Sequence, residues 1–93
     1  MKLRVQYMAQ LRAVIGYGEQ LVELPEASRI SDLLVQLAAQ HPAARSHLVT
    51  ESNQPRPSLL IVVNDAAVSS RDAAATSLQP NDVVTLLPPI AGG

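Results

Sequence analysis

A single strong helix constrains this chain more than any other feature. Ile30, Leu33, Leu34, Leu37 and Ala38 recur at i, i+3, i+4, i+7 and i+8, which gathers them into one apolar stripe that has to be buried. Asp32 stands in the first turn, where a negative charge suits the helix dipole. Ser28 or Ser31 offers a hydroxyl to cap the helix, and His41-Pro42 ends it, because the residue before a proline is pushed out of helical conformation. One stripe can cover one surface, and the flanking segments say what that surface is.

Before the helix, Lys2-Leu3-Arg4-Val5-Gln6-Tyr7 alternates polar with apolar, the period of a strand with one buried face. Ala9 to Val14 predicts a short helical turn that ends at Gly16 and Gly18, after which Glu19 to Leu24 alternates again up to Pro25. These two strands make a hairpin with an elaborated turn. After the helix, residues 43–58 turn polar around Pro55-Arg56-Pro57 and predict a surface loop with a helical turn near Ser46 to Thr50.

Leu59-Leu60-Ile61-Val62-Val63 is a continuous apolar run, expected of a strand covered on both faces. Asn64-Asp65 is a turn pair, Ala66 to Val68 returns as a short strand, and Pro80-Asn81 turns into a last strand from Asp82 to Leu87. The order strand, strand, helix, strand, short strand, strand predicts an α+β fold: a mixed sheet of about five strands with one main helix across one face. There is no internal repeat.

Composition narrows the chemistry. Ninety-three residues make one domain, and with no Phe or Trp and only Tyr7 and Tyr17 among the aromatics, its core has to be aliphatic. The formal net charge is −1 and the seven basic residues are scattered, so no nucleic-acid footprint is expected. No apolar stretch approaches the roughly 20 residues of a membrane span and the first residues alternate where a signal core would be apolar; the expected location is cytoplasmic.

The usual catalytic groups are thin. There is no cysteine, hence no disulfide, thiolate ligand or sulfur nucleophile. His41 and His47, the two histidines, are six residues apart, not at the i, i+4 spacing that puts two ligands on one helix face, and read as solvated surface residues. The carboxylates do not cluster, and Gly16-Tyr17-Gly18 lacks the third glycine and the lysine of a phosphate loop. An autonomous enzyme is hard to build from these parts.

The end of the sequence is different. Leu86-Leu87-Pro88-Pro89-Ile90-Ala91-Gly92-Gly93 carries no charged or polar side chain, unlike a solubilising tail. Two prolines stop the strand and favour extended backbone, which predicts a body of residues 1–87 and an extended, flexible tail of residues 88–93. That tail spans about 20 Å, at roughly 3.3 to 3.6 Å per residue, and glycine without a Cβ passes through a slot too narrow for other residues. What it delivers is the α-carboxylate of Gly93, ionised at neutral pH and unreactive until another enzyme activates it.

These residues resemble a known family. Leu-Pro-Pro-Ile-Ala-Gly-Gly at the end, Ser77 to Val84 before it, Val62-Val63-Asn64-Asp65, Glu23 to Glu26, and Tyr7 to Arg12 are similar to the ubiquitin-like sulfur carriers, specifically the small subunit of molybdopterin synthase, over nearly the whole chain. The resemblance implies a β-grasp, ubiquitin-like fold. It implies a carrier and not an enzyme, with no bound cofactor: an E1-like adenylyltransferase uses ATP to activate Gly93, and a sulfur donor enzyme converts the adenylate to a thiocarboxylate. The molybdopterin synthase large subunit then takes the sulfur for the dithiolene within a heterotetramer. Pro88, Pro89, Ile90, Ala91 and Gly92 would enter partner active sites, and Met8, Arg12 and Leu87 would dock the partners. The family often carries aromatic residues where this chain has Met8 and Leu87, and a Thr or Ser cap where it has Arg29. A carrier for thiamine, cysteine or a tungsten cofactor, a protein-conjugating modifier, and a β-grasp interaction module without tail chemistry are the alternatives.

Overall fold

Strand β1 (Lys2–Tyr7) buries Leu3, Val5 and Tyr7 and leaves Lys2 and Arg4 exposed, as the alternation dictates. The computed structural model describes residues 1–88. A short helix α1 (Ala9–Ile15) follows and ends at Gly16, whose φ of 101° is the left-handed C-cap that glycine accepts without strain. Strand β2 (Glu19–Glu23) then pairs antiparallel with β1, Leu3 opposite Val22 and Val5 opposite Gln20.

The predicted helix is α2 (Ile30–Gln40). Its stripe is wholly internal: Ile30, Leu33, Leu34 and Leu37 have no exposed surface and Ala38 is 2% exposed. His41 is its C-cap and Pro42 opens a 3-10 turn, as the proline rule requires. The cap expectation is corrected. Neither Ser28 nor Ser31 caps the helix: Arg29 occupies the extended N-cap position, and its N–H donates to the Asp32 carboxylate at 2.8 Å. The Ser28 hydroxyl instead donates to the Pro25 carbonyl at 2.7 Å. The helix start is also tied to a distant segment, with Ile30 N–H on Thr76 O at 3.1 Å and Leu78 N–H on Ser28 O at 2.8 Å, so tertiary hydrogen bonds stand in for a hydroxyl cap.

Residues 43–58 are more structured than a surface loop. The 3-10 turn Pro42–Ala44 runs into helix α3 (Arg45–Leu48), and Ala44, Leu48 and Val49 are buried in the main core. Polar residues dominate the segment, yet three small or aliphatic ones suffice to pin it.

Strand β3 (Leu60–Val63) turns at Asn64-Asp65 into β4 (Ala66–Val68), and β5 (Val83–Leu87) closes the sheet. The turn residues have φ of 49° and 70°, the left-handed pair of a tight hairpin that Asn and Asp tolerate. The sheet order is β2-β1-β5-β3-β4. β1 and β5 run parallel, and β3 is antiparallel to both β5 and β4. The two central strands therefore come from opposite ends of the described chain. This is the β-grasp arrangement, a mixed five-stranded sheet grasping one main helix.

The apolar run at β3 is misleading on one point. Leu59 and Ile61 are buried but Leu60 is 47% exposed, so β3 is covered on one face, not two. The helices pack against only one side of the sheet, and the other side is open. Among the described residues no helix is long and apolar enough to cross a membrane.

Candidate functional site

The open face is built by the side chains that alternate away from α2. The register sets them in rows: Leu21 beside Arg4 and Val83, Glu19 beside Gln6, Thr85 and Val62, and Leu87 beside Leu60. Met8 continues the outward positions of β1 in extended conformation, and its N–H donates to the Leu86 carbonyl at 3.1 Å, which draws it alongside the end of β5. The polar middle row is internally satisfied: Thr85 Oγ1 donates to Gln6 Oε1 at 3.0 Å, and Arg4 Nε reaches Glu19 Oε1 at 2.9 Å.

Apolar side chains are exposed at both ends of this face: Leu21, 68% exposed, beside Arg4 and Val83 at one, and a larger group at the other, where β5 finishes. Met8 is 46% exposed, Leu60 is its equal, and Leu87 is half-buried between them and the core. Exposed side chains of this size, contiguous across two strands and a strand end, are a surface suited to a partner. Neither Met8 nor Leu87 belongs to the core; Leu86, one residue earlier and on the other face, does.

Arg12 joins this end from above. On α1, Leu11 is fully buried and holds the helix to the body, so its neighbour Arg12 is exposed. Gln6, Tyr7, Met8, Arg12, Gly18 and Glu19 surround an open concavity of about 430 Å³. The structure thus brings together the three residues singled out from sequence, Met8, Arg12 and Leu87, at the end of the sheet where β5 finishes. Pro88, next along, is buried. Pro89, Ile90, Ala91, Gly92 and Gly93 lie outside the described residues.

Beneath the concavity sits a polar and aromatic knot. The Tyr7 hydroxyl donates to Gln20 Oε1 at 2.6 Å, His41 Nε2 meets the same oxygen at 3.0 Å, and Gln20 Nε2 donates to Gln40 Oε1 at 2.9 Å. Tyr7, Tyr17 and His41 pack edge to face, with ring centroids 5.9 to 6.1 Å apart. Burial, with a smaller contribution from neighbouring Tyr17, pushes the Tyr7 phenol well above its ordinary pKa, so it remains a neutral donor. His41 is accordingly no solvated surface residue: it is half-buried and closes the knot from the end of α2. Among the described residues no three His, Asp or Glu side chains gather as a metal site.

Sequence reasoning missed Leu60, Gly18 and the knot. Leu60 was hidden inside a uniformly apolar run, and only the register with Leu87 shows which way it points.

Comparison with known proteins places this arrangement. The family model described as "ThiS family" matches residues 5–93. The chain belongs to the ThiS family. It is thereby one of the small ubiquitin-like sulfur carriers, and its relatives agree over their full length. A molybdopterin synthase sulfur carrier subunit from Chlamydomonas reinhardtii is 34% identical over 93 residues, covering all of both chains. The small archaeal modifier protein 3 of Haloferax volcanii is 28% identical over 93 residues, again covering all of both. The crystal structure of SAMP1 from Haloferax volcanii superimposes with a TM-score of 0.87 at 22% identity, covering all of both chains, a likeness of fold.

Proposed function

We propose that this ThiS family member is the small, sulfur-carrying subunit of a molybdopterin synthase. The observation that carries the reading is the match through residue 93, which takes in Gly92-Gly93, together with full-length similarity to the Chlamydomonas sulfur carrier subunit.

The chemistry is that of a carried carboxylate. An E1-like adenylyltransferase binds the carrier, and the Gly93 carboxylate attacks the α-phosphorus of ATP, releasing pyrophosphate. Sulfide-level sulfur delivered by a donor enzyme attacks the acyl carbon, AMP leaves, and the terminus is left as a thiocarboxylate. The large synthase subunit, which holds the catalytic site, then receives the tail: Ile90, Ala91 and Gly92 thread its channel and the sulfur passes to the pterin precursor. The carrier itself supplies fit, with Met8 and Leu87 seated against the partner and Arg12 as its polar contact, and the assembly is a cytoplasmic heterotetramer.

An open apolar end beside the finish of β5 supports this reading physically. A partner that covers Met8, Leu60 and Leu87 is positioned to receive a tail leaving from the same place. Deleting Gly93, or extending the chain by one residue, should abolish sulfur transfer to the pterin precursor while leaving the fold intact. Retained transfer by either variant would refute the mechanism.

The full-length similarity to an archaeal modifier protein favours one second reading, a conjugating carrier whose activated terminus acylates protein amines. Copurification with a molybdopterin synthase large subunit supports the first reading; recovery of Gly93 in amide linkage to other proteins supports the second.

A further inference from the structure

Two glycines flank Tyr17, and they are glycine for different reasons. Gly16 needs the left-handed backbone. Gly18 does not: its φ lies outside the left-handed region, so a side chain there meets no conformational penalty. What a side chain would meet is Arg12. A Cβ on Gly18 would stand 3.2 Å from Arg12 Nε, 3.3 Å from Cζ and 3.4 Å from Cδ, with no backbone as close. The bare Gly18 backbone, whose carbonyl accepts the Tyr7 N–H at 2.9 Å and is thereby fixed to the end of β1, is a shelf on which the guanidinium lies.

The surrounding charges leave that guanidinium available. Glu19, adjacent in sequence and lining the same concavity, is taken by Arg4 at 2.9 Å. Among the described residues Arg12 makes no ion pair, the two present being Met1–Glu26 and Arg4–Glu19. An arginine ordinarily loses side-chain entropy when a partner fixes it. Laid beforehand on a rigid shelf beside Met8, it loses less, which is how preorganisation raises affinity.

The geometry points to Gly18 as a positioning residue that presents Arg12 to a carboxylate on the docking partner. This rests on the reading of Arg12 as a docking contact and adds how it is aimed and what it meets. The partner group is an acidic side chain, because the planar fork of a guanidinium matches a carboxylate in two parallel hydrogen bonds.

The test is a double-mutant cycle read in the steady-state kinetics of adenylation by the E1-like enzyme. Arg12→Ala should raise the KM for the carrier roughly tenfold, the loss of a charge-assisted contact, with kcat little changed. Gly18→Val should raise KM severalfold with an unchanged melting temperature, since the atom displaced is the end of a flexible side chain. Gly18→Ala, one methyl group, should give a smaller rise in the same direction. In the Arg12→Ala background both Gly18 substitutions should be silent. A Gly18 effect that persists without Arg12, or the absence of any effect with Arg12 present, overturns the positioning role alone. An unchanged KM in Arg12→Ala overturns the docking role of Arg12 itself, and the positioning role with it.

Discussion

Asn64 and Asp82, 18 residues apart in sequence, lock two turns of the sheet together: Asn64 Nδ2 donates to Asp82 Oδ1 at 2.7 Å. The Asn64 side-chain oxygen Oδ1 accepts from Val83 N–H at 2.9 Å, and the second Asp82 oxygen accepts from Gln79 N–H at 2.8 Å. Asp82 is 8% exposed, so its own two bonds are made with little competition from water. Asp82→Ala should therefore cost about 1.5 to 3 kcal/mol, the range for hydrogen bonds to a charged group. Urea unfolding would measure it, and Asn64→Ala should fall in the same range because it also loses a left-handed turn residue.

Tyr7 predicts the alkaline limit of the fold. Burial raises its pKa in the folded state above the value near 10 of an unfolded tyrosine, so above that pH the unfolded chain releases a proton that the folded one keeps. The associated stability is whole below about pH 10 and is lost as pH climbs toward the folded pKa. Urea midpoints from pH 7 to 11 should fall steeply for the native chain and less steeply for Tyr7→Phe. The variant should begin about 1 kcal/mol lower at neutral pH, for the lost bond to Gln20.

The two sides of the sheet should respond oppositely to truncation. Leu34→Ala, at a position with no exposed surface, should cost about 2 to 5 kcal/mol. Leu60→Ser, on the open face, should change stability by about 0.5 kcal/mol or less. The same Leu60 substitution should weaken binding to the adenylating enzyme roughly tenfold, which isothermal titration would read directly.

Ala27 has a φ of 65° at the third residue of the Pro25–Ser28 turn, where a type II turn calls for glycine. Ala27→Gly should raise stability by about 0.5 to 1 kcal/mol, since the left-handed strain relieved exceeds the entropy glycine brings to the unfolded chain. A fall in the unfolding midpoint would contradict this.

Most of the fold was legible because its signals are local. The stripe from Ile30 to Ala38, the alternation of β1 and β2, and the Asn-Asp turn each state their conformation within a few residues. The misreadings came where distance matters. Leu60 is as apolar as Ile61, so the β3 run by itself reads as covered on two faces, and only the single helical layer leaves one side open. Ser28 and Ser31 are local candidates to cap α2, whereas contacts with residues 76–78, far along the chain, hold that end. At the candidate site, Met8, Arg12 and Leu87 were named from resemblance and the structure brings them to one end. Gly18 carried no signal, since its neighbour Arg12 is reached only across a turn.

Sulfur carriage by this chain comes down to a single atom of Gly93. The purified chain, incubated with its activating enzyme, ATP and a sulfur source, should gain the mass of one oxygen exchanged for sulfur, located at Gly93 by fragmentation and absent when ATP is withheld. An intact mass unchanged under conditions in which the activating enzyme forms the adenylate would contradict it.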